Sequence, residues 1–150
     1  MNKLTIKNNS FWRFKFKEDF LNILEESRKE FNSKKYISVD VLFVNKFKMK
    51  KLNKKYRNKN YTTDILSFPL KAEFELNFLD NLELGQIIIS PWKIKKQSKE
   101  FNHSFRREIC YIFCHGIAHL FGFDHQTKKE AEIMNSHVDN VMKKLNITRS

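Results

Sequence analysis

One apolar helix, studded with histidine and stopped by a glycine, constrains this chain more than any other stretch. Ser104 caps it, Phe105, Ile109, Ile112, Phe113 and Leu120 give it a surface to bury, and Gly122 ends it. A residue with no Cβ takes the left-handed conformation cheaply, so Gly122 suits the position just past the helix and turns the chain back. A helix this apolar must be covered, which predicts that it forms the core with the other elements around it. Its last turn and the residues after it read Cys114-His115-Gly116-Ile117-Ala118-His119-Leu120-Phe121-Gly122-Phe123-Asp124-His125, holding three of the five histidines and two of the three glycines.

A metal site gives that clustering a physical reason. His115 and His119, four apart, lie about 40° from each other on one helix face, and both imidazoles reach a single ion. The turn at Gly122 delivers His125 as a third ligand. Three neutral imidazoles with an open fourth position make a catalytic zinc pattern, because structural sites are usually closed by four protein ligands, often cysteines. The spacing His-x3-His-x2-Gly-x2-His is also that of the metzincin peptidases, which carry a Glu general base directly after the first histidine. Here that residue is Gly116. Glycine inside a helix costs about 1 kcal/mol relative to alanine, so its use points to a need for space or close approach. The peptidase reading keeps its metal and loses its base.

At 150 residues the chain reads as one domain, residues 1–150, long enough to bury a core without disulfides. A formal charge of +12 favours polyanionic partners, nucleic acid first and an acidic membrane surface second. A Lys- and Asn-rich genome bias is the alternative source of that charge. Cys110 and Cys114, four apart, face the apolar side of the histidine helix and read as buried free thiols, which fits a reducing cytoplasm. A thiolate from Cys114 as a fourth ligand is geometrically awkward. Met1 to Ser10 has no apolar secretion signal, and the run from Ile109 to Phe123 is too short to span a membrane.

Along the chain, Leu4 to Lys7 reads as a strand, and Trp12, Phe14 and Phe16 alternate with basic residues in a way that fits a strand or the approach to a helix, which periodicity alone does not decide. Glu18 to Phe31 has the pattern of an amphipathic helix, Ile37 to Asn45 that of the strongest strand. Lys46 to Lys59 is basic with Phe47, Met49, Leu52 and Tyr56 at helical spacing: a solvated face, or an edge that faces nucleic acid. Thr62 to Pro69 is a short strand whose proline cannot donate to a central ladder, Leu70 to Leu84 an excursion or hairpin, and Gly85 to Ser90 a buried strand. Ser90 and Pro91 start a basic helix to about Phe101. Thr127 and Glu130 open the last helix as a capping box. His103 and His137 read as loop and core or solvent histidines, Glu108 as a surface charge. The sum is an α+β domain: a small mixed sheet of about four strands with about five helices, the central one carrying the metal motif.

With these residues in view the chain resembles the YbeY family of bacterial rRNA maturation factors. Leu52-Asn53-Lys54-Lys55-Tyr56-Arg57-Asn58-Lys59 running into Thr63-Asp64-Ile65-Leu66-Ser67-Phe68-Pro69 is similar to its first motif, Leu84-Gly85-Gln86-Ile87-Ile88-Ile89-Ser90 to its second, and His115-Gly116 through Asp124-His125 to its third. Glu130, Ala131 and Glu132 extend the match into the last helix. Gln86 stands where the family usually has Asp, so no charge role is carried over there. The resemblance implies a single-strand-specific, metal-dependent endoribonuclease acting in rRNA maturation, at the 3′ end of small-subunit rRNA, and in ribosome quality control. It implies one Zn2+ held by His115, His119 and His125, a groove that Arg57 helps to line, and RNA and ribosomal subunits or proteins as partners. Arg57 is the candidate that grips the phosphodiester, with Lys59 beside it on RNA. Asp124 either orients a ligand imidazole or closes the turn. Two other readings stand beside this one: a zinc peptidase, with Met134 as a Met-turn residue, and a non-catalytic ribosome-assembly protein whose zinc fixes the loop after Gly122.

Overall fold

A computed structural model of the chain describes residues 1–70 and 80–147. In order they form β1 (Lys3–Asn8), α1 (Lys17–Glu30), β2 (Ile37–Phe43), α2 (Lys46–Arg57), β3 (Ile65–Pro69), β4 (Leu82–Ile89), α3 (Pro91–Glu100), α4 (Phe105–Leu120) and α5 (Lys128–Lys144). The fold is α+β, as the sequence predicts, with a four-stranded mixed sheet ordered β1-β2-β4-β3. β1 and β4 run parallel to β2, while β3 lies antiparallel to β4 at the edge, where Pro69 has no ladder to interrupt on its outer side.

The helix ends follow from local chemistry. Asn45, Ser90, Ser104 and Thr127 each accept a hydrogen bond from the backbone N–H three residues on, opening α2, α3, α4 and α5. Five left-handed residues close the helices: Asn32, Asn58, Asn102 and Asn146, and Gly122 after α4. At Gly122 the pattern is a Schellman motif, with the Gly122 N–H on the His119 carbonyl and the Phe123 N–H on the Ala118 carbonyl.

One face of the sheet, through Val39, Val41, Ile87 and Ile89, meets α1 and α4, α5 packs against those two helices, and α4 is buried along most of its length as the core helix. The rings of Phe20 and Phe113 stack at 3.8 Å where α1 meets α4. The opposite face carries α2, through Met49 against Leu66 and Ile88. The alternation of Ile87 and Ile89 with Ile88 puts isoleucine on both faces, as expected of an interior strand.

One open alternative is decided and two expectations need correction. The alternating aromatic stretch is the approach to α1 and not a strand: Phe14 turns inward onto Phe20 and Phe43, and Phe16 packs near Phe105. β4 begins at Leu82 rather than Gly85, because a bulge lets Ser38 face Glu83 and Val39 face Gly85, with Leu84 as the extra residue. Glu108 is 6% exposed, since the turn after α3 brings His103 over it, and its carboxylate also faces Arg107. The excursion expected from Leu70 to Leu84 falls, at residues 71–79, outside the described residues. No described helix is long and apolar enough to cross a membrane.

Candidate metal centre

α4 runs over the β3–β4 edge of the sheet at Gly116, and that contact fixes where its histidines project. A Cβ on Gly116 would lie 2.7 Å from Ile65 Cδ1 and 3.1 Å from Ile87 Cδ1. The position that holds the peptidase base is therefore packed against the sheet, and a glutamate there would have to displace the tips of both isoleucines. His115 and His119 stand to the side of this contact, one turn apart, and the Gly122 turn returns His125 to them. Their ring centroids are 4.9 Å (His115 to His119), 5.0 Å (His119 to His125) and 5.6 Å (His115 to His125) apart. One nitrogen from each ring lies within 4.8 Å of the other two.

The protonation states suit a cation. Burial first, then the neighbouring imidazoles His119 and His125, push His115 down to about 4, so it is neutral at physiological pH. Its Nδ1 is buried with no hydrogen-bond partner. His119 is lowered too, chiefly by burial and then by His125. Its Nδ1 lies 3.0 Å from the Phe123 carbonyl oxygen, so Nδ1–H donates there and Nε2 keeps the free lone pair. The loop after Gly122 thus orients a ring of the helix before it. An ion bound tetrahedrally at about 2.0–2.1 Å holds its nitrogens roughly 3.3 Å apart, which small rotations of these side chains reach, most easily at exposed His125. The group fits the residues present.

The remaining candidates divide. Arg57, the last residue of α2, contributes to the lowering of His119, so its charge acts on the same centre; it is exposed and no described carboxylate pairs with it. Lys59 follows, exposed, just past the left-handed Asn58. Asp124 accepts a hydrogen bond at 2.7 Å from the His125 backbone N–H, closing the turn, and its charge opposes the lowering of His119. Gln86 is an exposed residue of β4 between Asp40 and Phe68. His137 sits apart, its Nδ1 2.7 Å from a Glu30 carboxylate oxygen. Cys114 is 1% exposed among core side chains and is not part of the histidine cluster. Asn53 stands in the first motif with no role assigned to it in the sequence, yet it is fully buried and donates from Nδ2 to the Tyr61 carbonyl at 2.9 Å, fastening the 60–62 turn to α2. An Asn inside an otherwise basic and apolar helical face was the only sign.

Comparison with known proteins bears on the family and the fold. A family model described as endoribonuclease YbeY matches residues 3–146. A protein of Mycoplasmopsis pulmonis named endoribonuclease YbeY is 44% identical over 149 residues, covering 99% of this chain and 100% of its own. One of the same name from Mycoplasma mobile is 42% identical over 148 residues, covering 99% and 97%. A solution structure of a Thermotoga maritima protein aligns with a TM-score of 0.59 at 24% identity, covering 97% of this chain and 91% of that one, which is a likeness of fold.

Proposed function

Because the chain belongs to the YbeY family of endoribonucleases, we propose that it is a metal-dependent hydrolase that cuts single-stranded RNA internally. Its substrate in this reading is ribosomal RNA, at the 3′ end of the small-subunit RNA and in ribosome quality control. Its partners are ribosomal subunits or proteins, its place the cytoplasm, and it acts as one domain over residues 1–150. The observation that carries the reading is the convergence of three imidazole nitrogens within 4.8 Å at the end of α4.

His115, His119 and His125 would hold one Zn2+. When bound, that ion supplies Lewis-acid chemistry, making a solvent nucleophile available near neutral pH and offsetting charge on a phosphoryl oxygen. The chain's own residues do the rest. The neutral state of His115 keeps a lone pair ready, and the Phe123 carbonyl holds His119 in one tautomer and orientation. Arg57, unpaired among the described residues, forks onto the non-bridging oxygens of the phosphodiester and stabilises the charge that grows there. Lys59 contributes to the hold on RNA, and Asp124 keeps the His125 turn closed. The peptidase alternative is weakened by Gly116, which is packed on Ile65 and Ile87, so that a carboxylate base there would have to displace both side chains.

Elemental analysis of the purified protein, run beside an RNA-cleavage assay on wild type, His119→Ala and Arg57→Ala, tests this. The expected pattern is loss of metal and cleavage together in His119→Ala, and loss of cleavage with metal retained in Arg57→Ala. Metal-loaded wild type that binds RNA without turnover would favour the assembly-factor reading. Chelator-sensitive cleavage of peptides, with RNA untouched, would favour the peptidase.

A further inference from the structure

We propose that the cleft between the start of α2, the 60–62 turn and the start of α3 is a second contact for single-stranded RNA, where bases stack on aromatic rings and lysines hold phosphates. The occupant rests on the RNA-cleaving reading above; the geometry does not. The cleft has a volume of about 450 Å³ and is lined by Lys50, Tyr61, Trp92, Lys93 and Lys96 among others. Among the described residues no carboxylate lines it and none of these lysines has an ion pair.

Its aromatic rings are presented rather than packed away. Tyr61 is 52% exposed, and half-buried Trp92 has the ammonium groups of Lys46 and Lys96 over its ring at 4.9 and 5.6 Å. With no base present the lysines cover the indole; a base stacking there frees them to turn to the flanking phosphates. The turn that carries Tyr61 is already fastened, by Asn53 on the Tyr61 carbonyl and by the Thr62 hydroxyl, which donates to the Lys46 carbonyl at 2.9 Å. A lysine face that served only solubility needs neither a pinned turn nor an exposed pair of rings. Duplex RNA keeps its bases stacked on one another and cannot offer them to these rings, so the cleft selects single strands. Lys50 and Arg57 are seven apart on α2, hence on one face about 10 Å apart along the axis. A strand seated in the cleft therefore leads towards Arg57 and the histidines.

The test is binding of a fluorescein-labelled oligouridylate of about twelve nucleotides, followed by anisotropy in EDTA so that no metal-dependent cleavage intervenes. Lys93→Gln/Lys96→Gln is expected to weaken binding by about tenfold or more and to flatten the slope of log K against log salt by about 1.4, at about 0.7 per phosphate contact. Lys143→Gln/Lys144→Gln, which removes the same charge from α5, is expected to weaken it by less than about threefold. In a Trp12→Phe background, where Trp92 supplies the tryptophan emission, RNA is expected to quench it. Equal losses in the two lysine pairs, or Trp92 emission unchanged at saturating RNA, would overturn the proposal. Because the readout is metal-free binding, a wild type that binds through this cleft yet never cleaves RNA sinks the enzymatic reading alone. Cleavage that depends on His119 while binding ignores Lys93, Lys96 and Trp92 sinks the cleft alone.

Discussion

The three glycines of this chain sit in three different environments, and replacing each with alanine separates them. Gly85 has φ +133°, and a Cβ there would stand 2.2 Å from the Phe68 carbonyl oxygen and 3.0 Å from the Leu70 nitrogen, backbone of β3 and of the residue just after it. The dihedral strain is about 1–3 kcal/mol. Relieving the clash means moving β3, which breaks the hydrogen bond from Leu70 N–H to the Leu84 carbonyl, worth about 0.5–1.5 kcal/mol. Gly85→Ala should thus cost about 3 kcal/mol, or a melting point lower by roughly 6–12 °C for a protein of this size. Gly122 has φ +103° and nothing within 4 Å of an added Cβ, so Gly122→Ala bears strain alone, about 1 kcal/mol and roughly 2–4 °C. Gly116→Ala meets the ends of two flexible isoleucines, a clash of about 1–2 kcal/mol offset by about 1 kcal/mol of helix propensity, so its effect is within about 1 kcal/mol of zero. Thermal unfolding followed by circular dichroism in EDTA gives all three. If Gly85→Ala melts no lower than Gly122→Ala, the close approach of β3 to β4 does not hold and the reasoning fails.

Arg57→Ala should cut RNA cleavage by roughly 10²–10³ with metal content unchanged, as expected for a group that acts on charge arising in the reaction; a fall in metal content measured on the same sample would assign it to the site's structure instead. The metal-free protein should lose stability as pH falls: the unfolded chain protonates His115 near its ordinary 6.5, whereas the folded chain resists until about 4. That contribution is complete above about 6.5 and drains away towards 4, so melting points in EDTA should drop across this window and drop less in His115→Gln. Burial pushes Cys110 and Cys114 up to about 12, so neither should react with a thiol reagent at pH 8 until the protein unfolds. Prompt labelling of the native protein would show that the core around α4 opens readily.

What could be read from the sequence was local. Ser90, Ser104 and Thr127 act on N–H groups three residues away, and the Gly122 turn and the histidine spacing are matters of one helix and one loop. What could not be read depends on partners distant in sequence. Strand order is set by which elements bury which faces, and nothing in β3 or β4 alone says that they pair. Glu108 carries a helix-surface pattern, and although His103 and Arg107 are near it in sequence, its burial comes only with the packing of the turn after α3 onto α4. Gly116 announced a need for space, but the objects filling it, Ile65 and Ile87, lie on two strands. Arg57 is far from the histidines in sequence, and its charge acts on His119 only through the fold, which periodicity does not encode. The aromatic run before α1 defeated periodicity because its alternation serves packing of Phe14 and Phe16 rather than any regular element.

The central claim is that His115, His119 and His125 share one divalent cation. Zinc titrated into metal-stripped protein, followed by calorimetry, tests it most directly: wild type should bind one ion per chain, and each of His115→Ala, His119→Ala and His125→Ala should lose at least about tenfold in affinity. Wild type that takes up no zinc, or alanine variants that bind it as tightly as wild type, would contradict the account.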